Sequence, residues 1–274
     1  MKIKFLFLLL LMSCSNLFYQ PTKRHFVDPK QFKIAYEDIS FKSQNGTDLH
    51  GWYFKARTKE VKGTIVQFHG NAQNISTHFF SLVWLLDQGY NLFTFDYEGY
   101  GKSGGEATQK RVYEDAMSAL AKGHELADKG KMIVYGQSLG GAVVLRALMD
   151  DPKIKEVDLL VIDSSFASYK DIAFSTLASK WFLVPFSPLA YVLVSDEYAP
   201  LKKLQKIKTP ILVIVGQKDH VIPQKFGKEI FKQIGSSEKW LWKLPDGGHI
   251  DIFHHGQGIY RKDFIEFLDS FNRR

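Results

Sequence analysis

The sequence predicts an α/β fold: a mostly parallel central sheet with helices on both faces and one small insertion. Three observations predict it. Short apolar runs recur at Thr64–Phe68, Tyr90–Phe95, Lys131–Tyr135, Val157–Ile162 and Pro210–Val215. Such runs lack the in–out alternation of a sheet with one wet face, and they are too short for helices. Segments with helical spacing of large apolar residues lie between them, and strand–helix alternation is what parallel pairing through crossover helices requires. The composition is that of an ordinary globular chain, 274 residues with 45% hydrophobic and 24% charged. A chain of this length buries about three quarters of its unfolded surface and needs no metal or disulfide staple.

Taken in order, Ile34–Lys42 and Leu49–Ala56 are alternating or aromatic-rich and flank Gln44-Asn45-Gly46-Thr47. Asn-Gly between such runs predicts a hairpin, which adds an antiparallel edge. Thr64–Phe68 ends at His69-Gly70-Asn71. Ile75–Asp87 has helical spacing and stops at Gly89. Strand Tyr90–Phe95 runs into a glycine-rich loop; Gln109–Lys129 is helical and stops at Gly130. Strand Lys131–Tyr135 is followed by helix Ala142–Met149, and Val157–Ile162 is the next strand. From about Phe166 to Lys203 the rhythm breaks. There Trp181–Val194 is an apolar run cut by Pro185 and Pro188, so it cannot be one straight helix. An insertion this long between strands reads as a lid, the alternative being a helix pair that fills core at the sheet edge. The run is expected either to pack on the sheet or to line an acyl pocket. Strand Pro210–Val215, helix Pro223–Ile234, strand Lys239–Leu244 and helix Ile259–Phe271 complete the chain.

The first residues stand outside this fold. Lys2 and Lys4 precede Phe5–Met12, a charged n-region and an apolar h-region, which reads as a secretory signal. The run is far shorter than the about 20 residues of a spanning helix. Its end, Leu11-Met12-Ser13-Cys14, contains the only cysteine and resembles the lipobox of bacterial lipoproteins. That resemblance implies residues 1–13 as a cleaved signal peptide, Cys14 as the lipidated N-terminus, 14–28 as a polar tether and 29–274 as the folded domain. Ser15 then implies outer-membrane sorting if the cell is Gram-negative, and in either case a lipid-anchored protein of the cell envelope. The alternative is an ordinary signal peptide that contains Cys14. A single cysteine excludes a disulfide framework and any zinc site built on several thiolates. Formal net charge is +7 from 36 basic and 29 acidic residues, without a long run of like charges, so a nucleic-acid partner is not indicated.

One motif carries chemistry. Strand Met132-Ile133-Val134-Tyr135 enters Gly136-Gln137-Ser138-Leu139-Gly140-Gly141 and then a helix. Gly-x-Ser-x-Gly in a strand–turn–helix setting is a nucleophile elbow, with Ser138 at its tip. A serine attacks only if a base removes its proton. His249, in Gly247-Gly248-His249 after the last strand, is the candidate base, ahead of His220, His254 and His255. Asp219, in Gly216-Gln217-Lys218-Asp219 after the preceding strand, is the candidate acid, ahead of Asp196 and Asp246. The order Ser, Asp, His is that of this elbow, and all three follow strand ends, where parallel sheets place ligands. Acyl transfer also needs two oxyanion donors, here the N–H groups of Leu139 and Asn71. No cysteine or carboxylate spacing supports a metal site. Gly99-Tyr100-Gly101-Lys102-Ser103-Gly104 formally matches a dinucleotide loop, but the next strand ends in no acidic residue to hold a ribose. No cofactor is expected.

With these motifs in hand the chain resembles a serine hydrolase of the α/β-hydrolase superfamily. The likeness is strongest to the small-lid branch that includes the depalmitoylating abhydrolase-domain proteins of animals and their bacterial relatives. It rests on His69-Gly70-Asn71-Ala72, Asp96-Tyr97-Glu98-Gly99-Tyr100-Gly101-Lys102-Ser103, the elbow, and the Asp219 and His249 loops. The resemblance implies hydrolysis of a carboxylic ester or thioester through an acyl-enzyme, on acyl or lipid-like substrates such as palmitoyl esters. The lid, where such families diverge, leaves the substrate open. Two other readings stay beside it: a serine peptidase of the oligopeptidase type, and a non-catalytic surface lipoprotein with a hydrolase fold.

Overall fold

The computed structural model describes residues 18–128, 130–254 and 258–272. Eight strands form the main sheet: β1 Glu37–Lys42, β2 Asp48–Phe54, β3 Gly63–Phe68, β4 Tyr90–Asp96, β5 Met132–Gln137, β6 Leu159–Asp163, β7 Ile211–Gly216 and β8 Lys239–Leu244. Their spatial order is β8-β7-β6-β5-β3-β4-β2-β1. The hairpin β1–β2 and the β2–β4 pair are antiparallel, and the rest are parallel. The main helices are α1 Gln109–Ala127, α2 Leu139–Leu148, α3 Tyr169–Ala178, α4 Lys225–Gln233 and α5 Tyr260–Asn272.

Because side chains alternate along a strand, each central strand feeds two cores. Val66, Val134, Ile162 and Val213 pack toward α1, α2 and α4. Ile65, Ile133, Val161 and Leu212 pack toward α5 and residues 75–88. This is why the sequence reads as continuous apolar runs. The edge strand β8 is covered by aromatic contacts, Trp240 and Trp242 lying 5.1 and 5.7 Å from Phe267.

The order β4-β3-β5 reverses the direction in which strands are added, and this switch point sits between β3 and β5. The register pairs Phe68 with Gly136 and Gln137 with Asp163, so the loops after β3, β5 and β6 emerge side by side.

Several expectations need correction. Ile75–Asp87 is not one helix: it has an α-turn at Ile75–His78 and then 3-10 turns at Phe79–Ser81 and Val83–Gln88. The His78 carbonyl accepts from Gln67 Nε2 (2.9 Å) and Ser81 Oγ (2.8 Å), so side chains take the acceptor that Leu82 N–H would use, and that N–H bonds Phe79 O instead. Helix α2 begins at Leu139, three positions ahead of Ala142, because the turn at Ser138 is itself the helix start.

The expected tether does not extend to Asp28. Gln20–Pro21 pairs in parallel with Ala72–Gln73, Tyr19 is buried, and Asn74 Nδ2 donates to the carbonyls of Thr22 and Arg24, both at 2.7 Å. The expected signal peptide and Cys14 lie outside the described residues. In the insertion, Trp181 (85% exposed), Phe182, Val184, Phe186, Leu189 and Val192 (76% exposed) neither pack on the sheet nor line the cavity beside Ser138. Among the described residues no helix is long and apolar enough to cross a membrane.

Candidate active site

Strand β5 delivers Ser138 into a turn with φ 51° and ψ −119°, and α2 starts at the next residue. Two glycines let this turn approach its neighbours. A Cβ on Gly136 would lie 2.6 Å from Gly141 Cα, and one on Gly140 would lie 2.1 Å from the Phe68 carbonyl oxygen. Ser138 N–H donates to the Asp163 carbonyl at 2.9 Å, which ties the elbow to β6.

The structure brings the three expected side chains together. His249 Nε2 is 3.0 Å from Ser138 Oγ, and His249 Nδ1 is 2.9 Å from Asp219 Oδ2. A carboxylate only accepts, so Nδ1 carries the proton and Nε2 offers its lone pair to the serine hydroxyl. The other Asp219 oxygen accepts from Val221 N–H and Ile222 N–H, both at 2.8 Å, which fixes the carboxylate in a buried position. His249 sits just ahead of Ile250, whose φ is 48°, an unusual conformation for a β-branched residue.

The rival residues lie elsewhere. Asp246 pairs with Lys218 Nζ at 2.6 Å on the surface. Asp196 accepts from Ser168 Oγ (2.8 Å) and Lys170 N–H (3.1 Å). His220 and His254 are exposed, and His255 lies outside the described residues.

Asn71 and Leu139 line the same cavity as Ser138 and His249. As the first residue of α2, Leu139 has its N–H outside the helical ladder. Asn71 is held by its side chain, whose Oδ1 accepts from Gln20 N–H (2.8 Å) and Tyr100 OH (3.1 Å). Behind this loop, burial, with nearby His78 adding to the effect, lowers the His69 imidazole to about 3. His69 therefore stays neutral, with Nδ1 2.7 Å from the Gly70 carbonyl. The cavity has a volume of about 470 Å³, and its walls are mainly apolar, from Phe18, Phe166, Ile172, Ala173, Val221 and Ile222.

Sequence reasoning missed two groups. Asp163, at the end of β6, accepts from Tyr135 OH and Ser164 Oγ, both at 3.0 Å. Burial pushes its carboxyl up to about 6 against those hydrogen bonds. Its only local signal is an acid at the end of an apolar strand. The second group, His25, His50 and Asp96, comes from three separate segments, so no local spacing could announce it.

Residues 59–199 match the family described as serine aminopeptidase, S33. The chain is 31% identical over 263 residues to YfhR, an uncharacterized protein of Escherichia coli O157:H7, covering 93% of this chain and 87% of that one. It is 29% identical over 261 residues to the alpha/beta hydrolase domain-containing protein WAV2 of Arabidopsis thaliana, covering 91% and 84%. The esterase Pf2001 of Pyrococcus furiosus has a similar structure, with TM-score 0.71 and 21% identity, over 94% of this chain and 98% of that one. Acetyl xylan esterase 1 of Thermoanaerobacterium sp. superposes with TM-score 0.65 and 20% identity, over 92% and 95%. Family match, relatives and fold agree: the chain belongs to the serine aminopeptidase S33 family of the α/β-hydrolase superfamily.

Proposed function

We propose that the protein is a serine hydrolase that cleaves carboxylic ester or thioester bonds of acyl substrates at a membrane surface. The observation that carries this reading is His249 bridging Ser138 at 3.0 Å and Asp219 at 2.9 Å beside an apolar cavity. Ser138 Oγ attacks the substrate carbonyl while His249 Nε2 takes its proton, and Asp219 holds the imidazole tautomer. The N–H groups of Leu139 and Asn71 receive the oxyanion. His249 then protonates the leaving alcohol or thiol, and the acyl group stays on Ser138. Water, deprotonated by His249, releases the acid and restores the serine. None of these steps draws on a cofactor.

The cavity wall favours an acyl chain over a peptide. An aminopeptidase must pair the substrate's ammonium with an acceptor, usually a carboxylate, and among the described residues lining the cavity there is no Asp or Glu. Each buried methylene adds about 0.8 kcal/mol, so four carbons add roughly 3 kcal/mol, or about a hundredfold in kcat/KM. The exposed apolar lid face around Trp181 and Val192 supports a substrate presented by lipid, as does the lipobox-like Cys14.

Steady-state kinetics on monomeric esters test the substrate class: kcat/KM should rise from acetyl to octanoyl, and a flat series would reject the acyl pocket. Ser138→Ala should lose turnover and fluorophosphonate labelling, and a folded variant that keeps either rejects the serine mechanism. Loss of both rejects the non-catalytic reading. Metabolic fatty-acid label should be absent from Cys14→Ala; label that persists refutes the anchor.

A further inference from the structure

Outside the catalytic cavity, ring nitrogens of three histidines turn toward one buried carboxylate, Asp96, at the end of β4. His25, on the N-terminal segment, places Nε2 3.3 Å from Asp96 Oδ2. His50, on β2, places Nδ1 3.8 Å from the same oxygen. His69 Nε2 is 3.9 Å from the other one. His50 Nε2 is 2.7 Å from Asp38 Oδ1. That carboxylate accepts, so in the neutral ring the proton is on Nε2 and Nδ1 keeps its lone pair. Nδ1 is buried without a hydrogen-bond partner. A cation between Nδ1 and the carboxylate satisfies both; a proton would do so for this pair alone, whereas a metal ion can also take His25 Nε2, whose position completes a three-ligand cluster.

We propose that His25, His50 and Asp96 bind one divalent transition-metal ion of the zinc class and that the ion pins residues 18–28 to the main sheet. Their ligand atoms lie within 4.8 Å of one another. Tetrahedral zinc at 2.0–2.1 Å from each ligand sets neighbouring ligand atoms about 3.4 Å apart, close to the observed 3.3 and 3.8 Å. Two imidazoles and a carboxylate are a zinc-type donor set with one position left for water. The outer partners are also present: Asp38 orients His50, and Ile75 N–H donates to Asp96 Oδ1 at 3.0 Å. The His25 side chain is 16% exposed, which gives the ion a way in. The segment it would pin supplies Phe18 to the cavity wall, and Gln20 N–H holds Asn71.

The test needs no turnover, so it stands apart from the catalytic assignment. Full-length protein, stripped with a chelator, is titrated with zinc chloride by calorimetry and with Co²⁺ by visible absorption. One equivalent should bind, with tetrahedral Co²⁺ bands. Trp52, 5.0 Å from the His25 ring, should lose fluorescence as Co²⁺ enters. His25→Ala and His50→Ala should each weaken binding at least tenfold, while His254→Ala leaves it unchanged. Zinc should slow proteolysis within residues 18–28 of the wild type and have no such effect in His25→Ala. Because His25 is partly exposed and lies on the N-terminal segment outside the main sheet, this variant should keep the fold even if His50→Ala does not. Absence of stoichiometric binding, or equal affinity in folded His25→Ala, overturns the site. Binding without protection of residues 18–28 overturns the pinning.

Discussion

Ser138 occupies a backbone conformation that side chains avoid, φ 51° and ψ −119°, and such residues cost about 1–3 kcal/mol. Glycine carries no such penalty, so Ser138→Gly should be more stable than Ser138→Ala by about 1 kcal/mol. Urea midpoints decide this; equal midpoints would show an unstrained turn. Asp219→Asn should lower kcat by about 10³–10⁴, because the wrong imidazole tautomer then faces the serine. Asp196→Asn, whose partners are Ser168 and Lys170, should change kcat by only a few-fold; a comparable loss there would move the acid into the lid. A third expectation concerns Asp115 on α1. Burial raises its carboxyl to about 7, with Glu98 and Glu114 adding to the rise, while hydrogen bonds from Ser43 and Glu98 N–H oppose it. The folded pKa lies above the unfolded value of about 3.9, so its contribution is full below pH 4 and is lost as pH rises through 7. Asp115→Asn keeps the acceptor for Glu98 N–H and should flatten the fall in stability between pH 5 and 8. Denaturant midpoints at both pH values are the measurement, and parallel declines would refute it. At this scale Ser138, Asp219 and His249 were legible because each sits in a glycine-bearing loop after an apolar strand. Asp163 and Asp96 were not: a buried acid and a surface one look alike until the fold is closed.

Among the elements, the strands were the most legible, since runs buried on both faces are apolar throughout. Residues 75–88 were not, because what breaks the helix is Gln67, a side chain reaching across from β3. The lid was half legible: prolines announced an interruption, but apolar content alone does not say which way a face points. The junction of α2 with the β3 loop is the element contact on which the site depends most. A Cβ at Gly140 would meet the carbonyl oxygens of Phe68 and His69 at 2.1 and 2.5 Å, both backbone atoms that cannot rotate away. Gly140→Ala should therefore destabilise by about 1–3 kcal/mol and separate the N–H groups of Leu139 and Asn71. A lowered melting temperature with slower fluorophosphonate labelling of the folded fraction is expected. Unchanged labelling would mean that the two loops move independently.

At the scale of the whole molecule, the N-terminal segment links features that the sequence presented as separate. Read as a polar tether, it is instead part of the fold: Tyr19 is buried, and Phe18 forms a wall of the cavity beside Ser138. The four residue steps from Cys14 to Phe18 can span at most about 14 Å even when fully extended. An acyl chain on Cys14 would therefore act as a very short leash and hold the cavity mouth near the lipid headgroups. For esters held in the bilayer, diffusion to substrate would then become a search in a plane, while dissolved esters would still reach the cavity through water. Inserting a flexible linker of about 20 residues after Ser15, which adds a root-mean-square reach of roughly 25 Å, should slow hydrolysis of vesicle-embedded esters and leave that of soluble ones unchanged. Equal rates on both would show that the short leash has no bearing on which esters the enzyme meets.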